Sequence, residues 1–311
     1  MQSFEAAYIK SFQDGLLAQK IEKACALTEA CHLCPRKCGI NRPAGETGIC
    51  KTAQNAWVSS YSPHFGEEAP LVGSHGSGTI FFTHCNLMCL FCQNFDISHQ
   101  GQGREVSCEQ IAAMMLALQE QGCHNINFVT PSHVVPQILS AVDIAVQIGL
   151  SVPLVYNSGG YDRVETLRLL EGVFDIYMPD FKFWDPDIAE SACNAPDYPE
   201  IARRALIEMH RQVGDLRVNA DGVAQRGLLV RHLVLPHGRA GTRDVMRFIA
   251  RQVSSDTYVN IMSQYRPCGR AAEIGGLDVC PSQADLKEAL NAARQEGISR
   301  LDQPRRVFIL R

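Results

Sequence analysis

The chain has 311 residues, which is enough for one large domain or for a large domain with a small one. Apolar residues make up 46% and charged residues 20%, as in ordinary soluble globular proteins, and the net charge of −4 disfavours nucleic acid as the main partner. The N-terminus mixes charged with apolar residues, and no apolar run approaches the ~20 residues of a membrane span, so we expect a cytoplasmic protein without membrane contact.

The first part of the chain gives a mixed pattern. Residues 1–30 are predicted to be helical, and residues 31–50 form a first cysteine block whose prolines and glycines indicate loops. Residues 51–75 show neither the hydrophobic periodicity of a helix nor that of a strand. We therefore treat residues 1–75 as an N-terminal helical and cysteine-rich metal-binding extension.

A regular alternation of strands and helices begins near residue 76. Ser107 and Gln110 form a predicted capping box, and a longer helical region covers about 187–213. The predicted strands cover residues 78–84, 125–130, 153–158, 174–181, 227–236 and 258–263. This pattern predicts right-handed βαβ units with a parallel sheet in a core of residues 76–265. Residues 266–311 are predicted to be a C-terminal tail packed on the core, with a short element at 306–310.

The cysteines are unusually numerous. There are thirteen, an odd number, so a fully paired disulfide framework is excluded, and clustered thiols in a reducing cytosol more often bind metal. Six of them are scattered, and most of these are predicted to be packing residues; Cys268 follows the sixth strand, where it could also face the mouth of the barrel. The scattered six are Cys25, Cys108, Cys123, Cys193, Cys268 and Cys280.

The second cysteine block follows the first core strand. Cys85, Cys89 and Cys92 have the spacing C-x3-C-x2-C on a predicted loop at a strand end, where active sites of such sheets gather. Three thiolates so close can hold three corners of a [4Fe–4S] cluster and leave its fourth iron open, as an enzyme requires. The alternatives are a zinc site that takes a fourth ligand such as His84, and a plain electron-transfer cluster.

The first cysteine block carries four thiols. Cys31, Cys34, Cys38 and Cys50 have the spacing C-x2-C-x3-C-x11-C. Four soft ligands can close a tetrahedral zinc site or hold an auxiliary iron–sulfur cluster, and the spacing does not choose between them. Because the surrounding loop is poor in apolar residues, a metal would supply much of its folding free energy. The alternative is four reduced thiols without metal.

The cluster motif, its place after the first strand and the strand number together resemble the radical SAM superfamily over about residues 78–265. This resemblance implies a partial (β/α)6 barrel, here with a cysteine-rich N-terminal extension, and Phe91 beside the adenine of S-adenosylmethionine (SAM). It implies that SAM chelates the open iron and that a low-potential donor, a flavodoxin or a ferredoxin, reduces the cluster. SAM is then split into methionine and a 5′-deoxyadenosyl radical that abstracts hydrogen.

Within the superfamily the chain resembles the activating enzymes of glycyl radical enzymes, and more narrowly the branch related to pyruvate formate-lyase activating enzyme. The phrases that carry this resemblance are CHLCPRKCGINRPAGETGIC, CNLMCLFCQNFDIS, NINFVTPSHVVPQIL, VYNSGGYD and VNIMSQYRP. It implies SAM contacts by Asn157 near the methionyl portion, by Asp180 and Lys182, and by Arg231 at the SAM carboxylate. An aspartate, a lysine and an arginine at one mouth suit a zwitterionic sulfonium ligand.

The chain also departs from the activating enzymes. They carry a Gly-Gly-Glu after the second strand that meets the SAM ammonium, whereas residues 130–133 here are Thr-Pro-Ser-His. We expect the Thr130 carbonyl or the Ser132 hydroxyl to take that role, and we expect His84, His133 and His232 to be structural. Three functions remain: glycyl radical installation on a partner protein, radical modification of another protein, peptide or small molecule, and a non-catalytic zinc-binding interaction module.

Overall fold

The computed structural model describes residues 4–303. Its strands are β1 (Ala56–His64), β2 (Ser77–Phe82), β3 (Arg104–Val106), β4 (Ile126–Val129), β5 (Leu154–Ser158), β6 (Ile176–Pro179), β7 (Arg217–Val218), β8 (Ala224–Leu233) and β9 (Tyr258–Met262). Its helices are α1 (Ala7–Gln13), α2 (Leu16–Glu29), α3 (Ala69–Val72), α4 (Phe95–Ser98), α5 (Cys108–Glu120), α6 (Val135–Gln147), α7 (Val164–Leu169), α8 (Pro186–Cys193), α9 (Tyr198–Val213), α10 (Thr242–Phe248) and α11 (Gln283–Gln295).

The centre of the molecule is a parallel sheet in the order β2-β4-β5-β6-β8-β9. These are the six strands that the sequence predicts, and the α/β class with a partial parallel barrel is confirmed. The central strands β5 and β6 are buried along their whole length because helices cover the sheet, which is why they form continuous apolar runs. Parallel direction places all six C-terminal strand ends along one edge.

Three further strands were not predicted. β1 pairs antiparallel with β2, and β3 pairs antiparallel with β1, so both extend the sheet at one edge. β7 pairs antiparallel with β8. The second half of β1 is exposed or half-buried and contains Pro63, and this removes the apolar alternation by which strands are recognised. Residues 51–75 thus contain strand β1, which belongs to the same sheet as the six core strands.

Local chain-breaking residues divide two predicted helical regions. The region 1–30 contains α1 and α2, which are separated at Gly15 in the left-handed conformation. The region 187–213 contains α8 and α9, because Asn194 ends α8 in the left-handed conformation and Pro196 follows. The capping box of α5 is confirmed, with Gln110 N–H donating to Ser107 Oγ and Ser107 N–H to Gln110 Oε1.

The C-terminal part of the chain after β9 contains α11, which packs against α10. The predicted element at residues 306–310 lies outside the described residues. None of the helices within residues 4–303 combines the length and the apolar character that crossing a bilayer requires.

The first cysteine block lies against the edge where the strands end. The Leu33 carbonyl accepts from Thr166 Oγ1 at 2.7 Å, and the His32 carbonyl accepts from Arg163 Nη1 at 2.8 Å. Arg42, 1% exposed, donates to the carbonyls of Ala53 and His133, each at 2.9 Å. These polar contacts dock a loop-rich segment that has little apolar surface of its own.

Candidate active site at the strand ends

The loop of residues 84–94, here called the cluster loop, follows β2 and carries the three predicted cluster ligands. All three thiols face one cavity of about 630 Å³ at the C-terminal strand ends. His84 and Met88 have left-handed backbone conformations, with φ of 73° and 57°. Such conformations cost roughly 1–3 kcal/mol each for residues other than glycine, so contacts outside the loop must hold its shape.

Two sulfurs of the cluster loop have close protein neighbours. Cys85 Sγ accepts a hydrogen bond from the backbone N–H of Leu87 at 3.4 Å, and burial raises the pKa of the Cys85 thiol to about 12. The sulfur of Cys193, at the end of α8, lies 3.3 Å from Cys89 Sγ and is placed to donate to it. Cys193 is 3% exposed, as its predicted packing role implies, but its contact with a predicted cluster ligand was not predicted.

A [4Fe–4S] cluster fits these residues by the chemistry of the donors. Three cysteine sulfurs face a cavity with room for more than an ion, and no fourth cysteine of residues 4–303 lines it. Within residues 4–303, no three Cys, His, Asp or Glu side chains are gathered as ligands of one metal ion. A cluster places several irons between its thiolates, so its ligands stand farther apart than those of a single ion.

The remaining predicted cofactor-binding residues are placed around the same cavity with one exception. Those that line it are Phe91, Thr130, Asn157, Asp180, Lys182 and Arg231. Phe91 is buried against the rings of Phe183 and Tyr265, with both centroid distances at 5.8 Å. The exception is Ser132, whose buried hydroxyl donates to Asp162 Oδ1 at 2.6 Å instead of facing the cavity.

Asp180 and Lys182 follow β6 and form an ion pair within the cavity wall. Their side chains are 18% and 16% exposed. Burial alone would lower the pKa of Lys182, but the neighbouring Asp180 carboxylate outweighs it and raises that pKa. Lys182 therefore keeps its positive charge, and the cavity wall offers both an ammonium and a carboxylate group to a bound molecule.

Arg231, on β8, makes contacts that the sequence did not predict. Its guanidinium forms a bidentate pair with Glu68, with Nε–Oε1 at 2.7 Å and Nη2–Oε2 at 2.8 Å, and Nη2 also contacts Glu67. Both glutamates are almost fully buried and line the cavity. In the sequence, the only sign of this contact is that Glu67 and Glu68 are adjacent carboxylates ahead of the first core strand. The residues around them show no hydrophobic periodicity, so their place in the fold could not be predicted. A SAM carboxylate at Arg231 would have to share this guanidinium with them.

Asn157 provides a polar group without a protein partner. Its side chain is 5% exposed, its Oδ1 accepts from Arg231 Nη1 at 3.4 Å, and its Nδ2 is buried without a hydrogen bond. An unpaired buried amide N–H costs about 1–3 kcal/mol, and a ligand acceptor in the cavity would remove this cost. This favours a polar molecule beside Asn157.

Two of the histidines are engaged in structural contacts. His133 Nε2 contacts the Thr83 carbonyl at 3.0 Å, and burial lowers its pKa to about 3. His232 contacts the Phe181 carbonyl and Thr242 Oγ1, and burial lowers its pKa to about 4. His84 and Cys268 are not among the residues that line the cavity.

The thiols of the first cysteine block are near enough for the other three to act on Cys34, although within residues 4–303 no three of them are gathered as ligands of one metal ion. Burial raises the pKa of Cys34 to about 12, and Cys50, Cys31 and Cys38 add smaller contributions in the same direction. Arg42 lowers the pKa of Cys50, although burial dominates, and Arg42 Nη2 is buried without a hydrogen bond. A negatively charged tetrathiolate site would give this Nη2 the partner that it lacks, while Nε and Nη1 keep the Ala53 and His133 carbonyls.

Comparison with known proteins identifies the family. The sequence model described as "Radical SAM superfamily" matches residues 79–219, which contain the cluster loop and strands β4 to β6. The uncharacterized protein MJ0674 of Methanocaldococcus jannaschii is 30% identical over 300 residues, which are 94% of this chain and 82% of that protein. The chain belongs to the radical SAM superfamily. As members of this superfamily, such proteins have a [4Fe–4S] cluster and SAM as cofactors.

Two solved structures resemble this radical SAM protein in part. Methylornithine synthase (PylB) is 17% identical, with a TM-score of 0.47 over 71% of this chain and 62% of that chain. HydG, a maturase of the [FeFe]-hydrogenase, is 14% identical, with a TM-score of 0.45 over 70% of this chain and 48% of that chain. The chain spans less than two thirds of either structure.

The contact of Cys193 with Cys89 predicts an effect on the cluster potential. A thiol that donates to a ligating sulfur stabilises the more negative, reduced cluster. Cys193→Ala should therefore shift the midpoint potential to a more negative value, and Cys193→Ser, which keeps a donor, should shift it less. The measurement is an anaerobic redox titration followed by EPR, with Cys108→Ala as the control.

The same variants test whether Cys193 is a donor or a fourth ligand. A donor predicts that Cys193→Ala keeps the iron content and the change in the EPR spectrum on SAM addition. A loss of iron from this variant would contradict our interpretation and would make Cys193 a ligand.

Proposed function

We propose that this radical SAM protein reductively cleaves SAM at a cluster held by Cys85, Cys89 and Cys92. The observation that carries the proposal is the single cavity that these thiols share with Asp180, Lys182 and other charged groups. SAM carries an ammonium, a carboxylate and a sulfonium, and a cavity with buried groups of both signs suits such a ligand. A non-catalytic zinc-binding module would not require this cavity.

The chain's own residues would bind and orient SAM. When bound, the cluster supplies one electron to the sulfonium, which yields methionine and a 5′-deoxyadenosyl radical. Asn157 Nδ2 and Lys182 Nζ can donate to the SAM carboxylate, while Asp180 and the Thr130 carbonyl can accept from its ammonium. Arg231 would contribute less to SAM binding, because its guanidinium is already paired with the carboxylates of Glu67 and Glu68.

Apolar groups on the cavity wall would protect the reaction from water. Phe91, Leu87 and Tyr265 line the cavity beside the cysteines, and all three are at most 4% exposed. A dry site prevents quenching of a reactive radical by solvent. The electron donor that we propose is a flavodoxin or a ferredoxin, because the cluster needs a low-potential reductant.

The test of SAM cleavage uses the reconstituted protein. After anaerobic reconstitution, addition of dithionite and SAM should yield 5′-deoxyadenosine, which chromatography quantifies. Cys85→Ala should reduce the yield to background because it removes a cluster ligand, whereas Cys108→Ala, on α5, should not. If the wild type holds a complete cluster and forms no 5′-deoxyadenosine, the catalytic proposal fails.

For the hydrogen donor we propose a glycine of a partner protein, supported by the sequence resemblance to the branch of the activating enzymes. The different residues at 130–133 and the N-terminal extension argue for the alternative, another protein, peptide or small molecule. A glycyl radical on a co-purifying chain would give a characteristic EPR doublet after the reaction with SAM. If no purified partner shows this doublet while substrate-dependent deuterium transfer occurs from a different compound, the glycyl proposal is rejected.

We also propose that the first cysteine block binds a second metal, either zinc or an auxiliary iron–sulfur cluster. The four neighbouring thiols and the unpaired Arg42 Nη2 support this proposal. A metal would cross-link a segment whose contacts with the barrel are mainly polar. The free energy of metal binding would then stabilise the folded block and its docking on the strand ends.

Metal analysis of two variants separates the two sites. A variant with Cys85, Cys89 and Cys92 replaced by alanine should retain the zinc or iron of the first block. Replacement of Cys34 and Cys50 by serine should remove that metal, and Cys25→Ser, at an exposed cysteine, is the control. If the first variant contains neither zinc nor iron by mass spectrometry, the second metal site is excluded.

A further inference from the structure

Arg36, between Cys34 and Cys38 of the first cysteine block, contacts the cluster loop. Its Nε donates to the Asn86 carbonyl and its Nη2 to the Leu87 carbonyl, both at 3.1 Å. Asn86 and Leu87 lie between the predicted cluster ligands Cys85 and Cys89. One guanidinium thus holds two successive peptide groups of the loop that carries the candidate cluster.

The orientation of those peptide groups has a direct consequence for Cys85. In a planar trans peptide the carbonyl and the following N–H point in opposite directions. Both peptides are trans, so carbonyls directed at Arg36 turn the N–H groups of Leu87 and Met88 away from it. Both N–H groups donate hydrogen bonds to Cys85 Sγ, and the Leu87 nitrogen lies 3.4 Å from this sulfur. Arg36 therefore acts on a predicted ligand sulfur through two peptide groups.

The other side of Arg36 is fixed to the barrel. Nη2 also donates to the Cys193 carbonyl at 2.7 Å, and Nη1 donates to the Asn194 carbonyl, both at the C-terminal end of α8. The guanidinium carbon lies 5.1 Å from the ring centroid of Tyr161, whose backbone carbonyl accepts from Asn86 Nδ2. Carbonyls at a helix C-terminus and an aromatic face both attract a cation. Arg36 is thus held in one orientation from two sides.

We propose that Arg36 is a positioning residue that orients the Asn86 and Leu87 peptide groups so that two N–H groups face the Cys85 sulfur. The proposal rests on the proposed cluster at Cys85, Cys89 and Cys92, but it does not require SAM cleavage. It gives the first cysteine block a role in the active site, because the block supplies the side chain that shapes the cluster loop. Two N–H donors at a ligating sulfur stabilise the reduced cluster and raise its potential.

Three variants separate geometry from charge and from general stability. Arg36→Lys keeps the positive charge but replaces the planar fork by a single ammonium that cannot bond four carbonyls on two sides. Arg36→Gln removes both the charge and the fork. Lys37→Gln removes one charge from the neighbouring exposed residue and is the matched control.

The first measurement is amide hydrogen exchange in the cluster-free protein. Peptides covering residues 86–89 should exchange about tenfold faster in Arg36→Lys and Arg36→Gln than in the wild type, because the loop opens more often. Lys37→Gln should exchange like the wild type. Should Arg36→Gln fail to fold, Arg36→Lys alone decides the outcome.

The second measurement is the midpoint potential of the reconstituted cluster. Arg36→Lys should shift it to a more negative value, which a merely structural role distant from the sulfur would not do. Wild-type exchange and wild-type potential in Arg36→Lys would overturn the proposal. A protein that shows these shifts but forms no 5′-deoxyadenosine would support the positioning role while the proposed function fails.

Discussion

Parallel strand pairing is the constraint on which the site depends. Six strands run in one direction, so the residues that follow them meet along one edge of the sheet although they are far apart in the chain. The cluster loop follows β2, Thr130 follows β4, and Asp180 and Lys182 follow β6. Their common cavity is a consequence of strand direction, and it brings soft sulfur ligands next to charged groups.

The charged groups around the cavity are paired before any ligand binds. Buried charges are costly unless they are paired and hydrogen-bonded, and here Arg231 pairs with Glu67 and Glu68 while Lys182 pairs with Asp180. Glu68 also accepts from Asn260 Nδ2 at 2.7 Å, which fixes its carboxylate. A ligand in the cavity therefore meets charged groups whose positions are already fixed by their partners. The unpaired Nδ2 of Asn157 is available to donate a hydrogen bond to it.

The two cysteine blocks form one structural unit at the strand ends. The first block contributes Arg36 to the cluster loop and Arg42 to the His133 carbonyl after β4, so it contacts loops that follow two different strands. The end of α8 joins the same unit through the Cys193 carbonyl, which Arg36 contacts, and the Cys193 sulfur, which contacts Cys89. The cluster loop, with two left-handed residues, is thus held by neighbours on several sides.

The sequence by itself determined the six core strands, the strand-end position of the cluster motif and the α/β class, because short-range patterns encode them. Apolar runs indicate buried strands, and C-x3-C-x2-C requires only eight residues. Tertiary structure alone decided which side chains complete the site. Glu68 and Arg231 are 163 residues apart, Cys89 and Cys193 are 104 apart, and Arg36 and Asn86 are 50 apart. Hydrophobic periodicity along the sequence cannot predict such distant pairs, because they form only when the strands align and the first cysteine block docks on the strand ends.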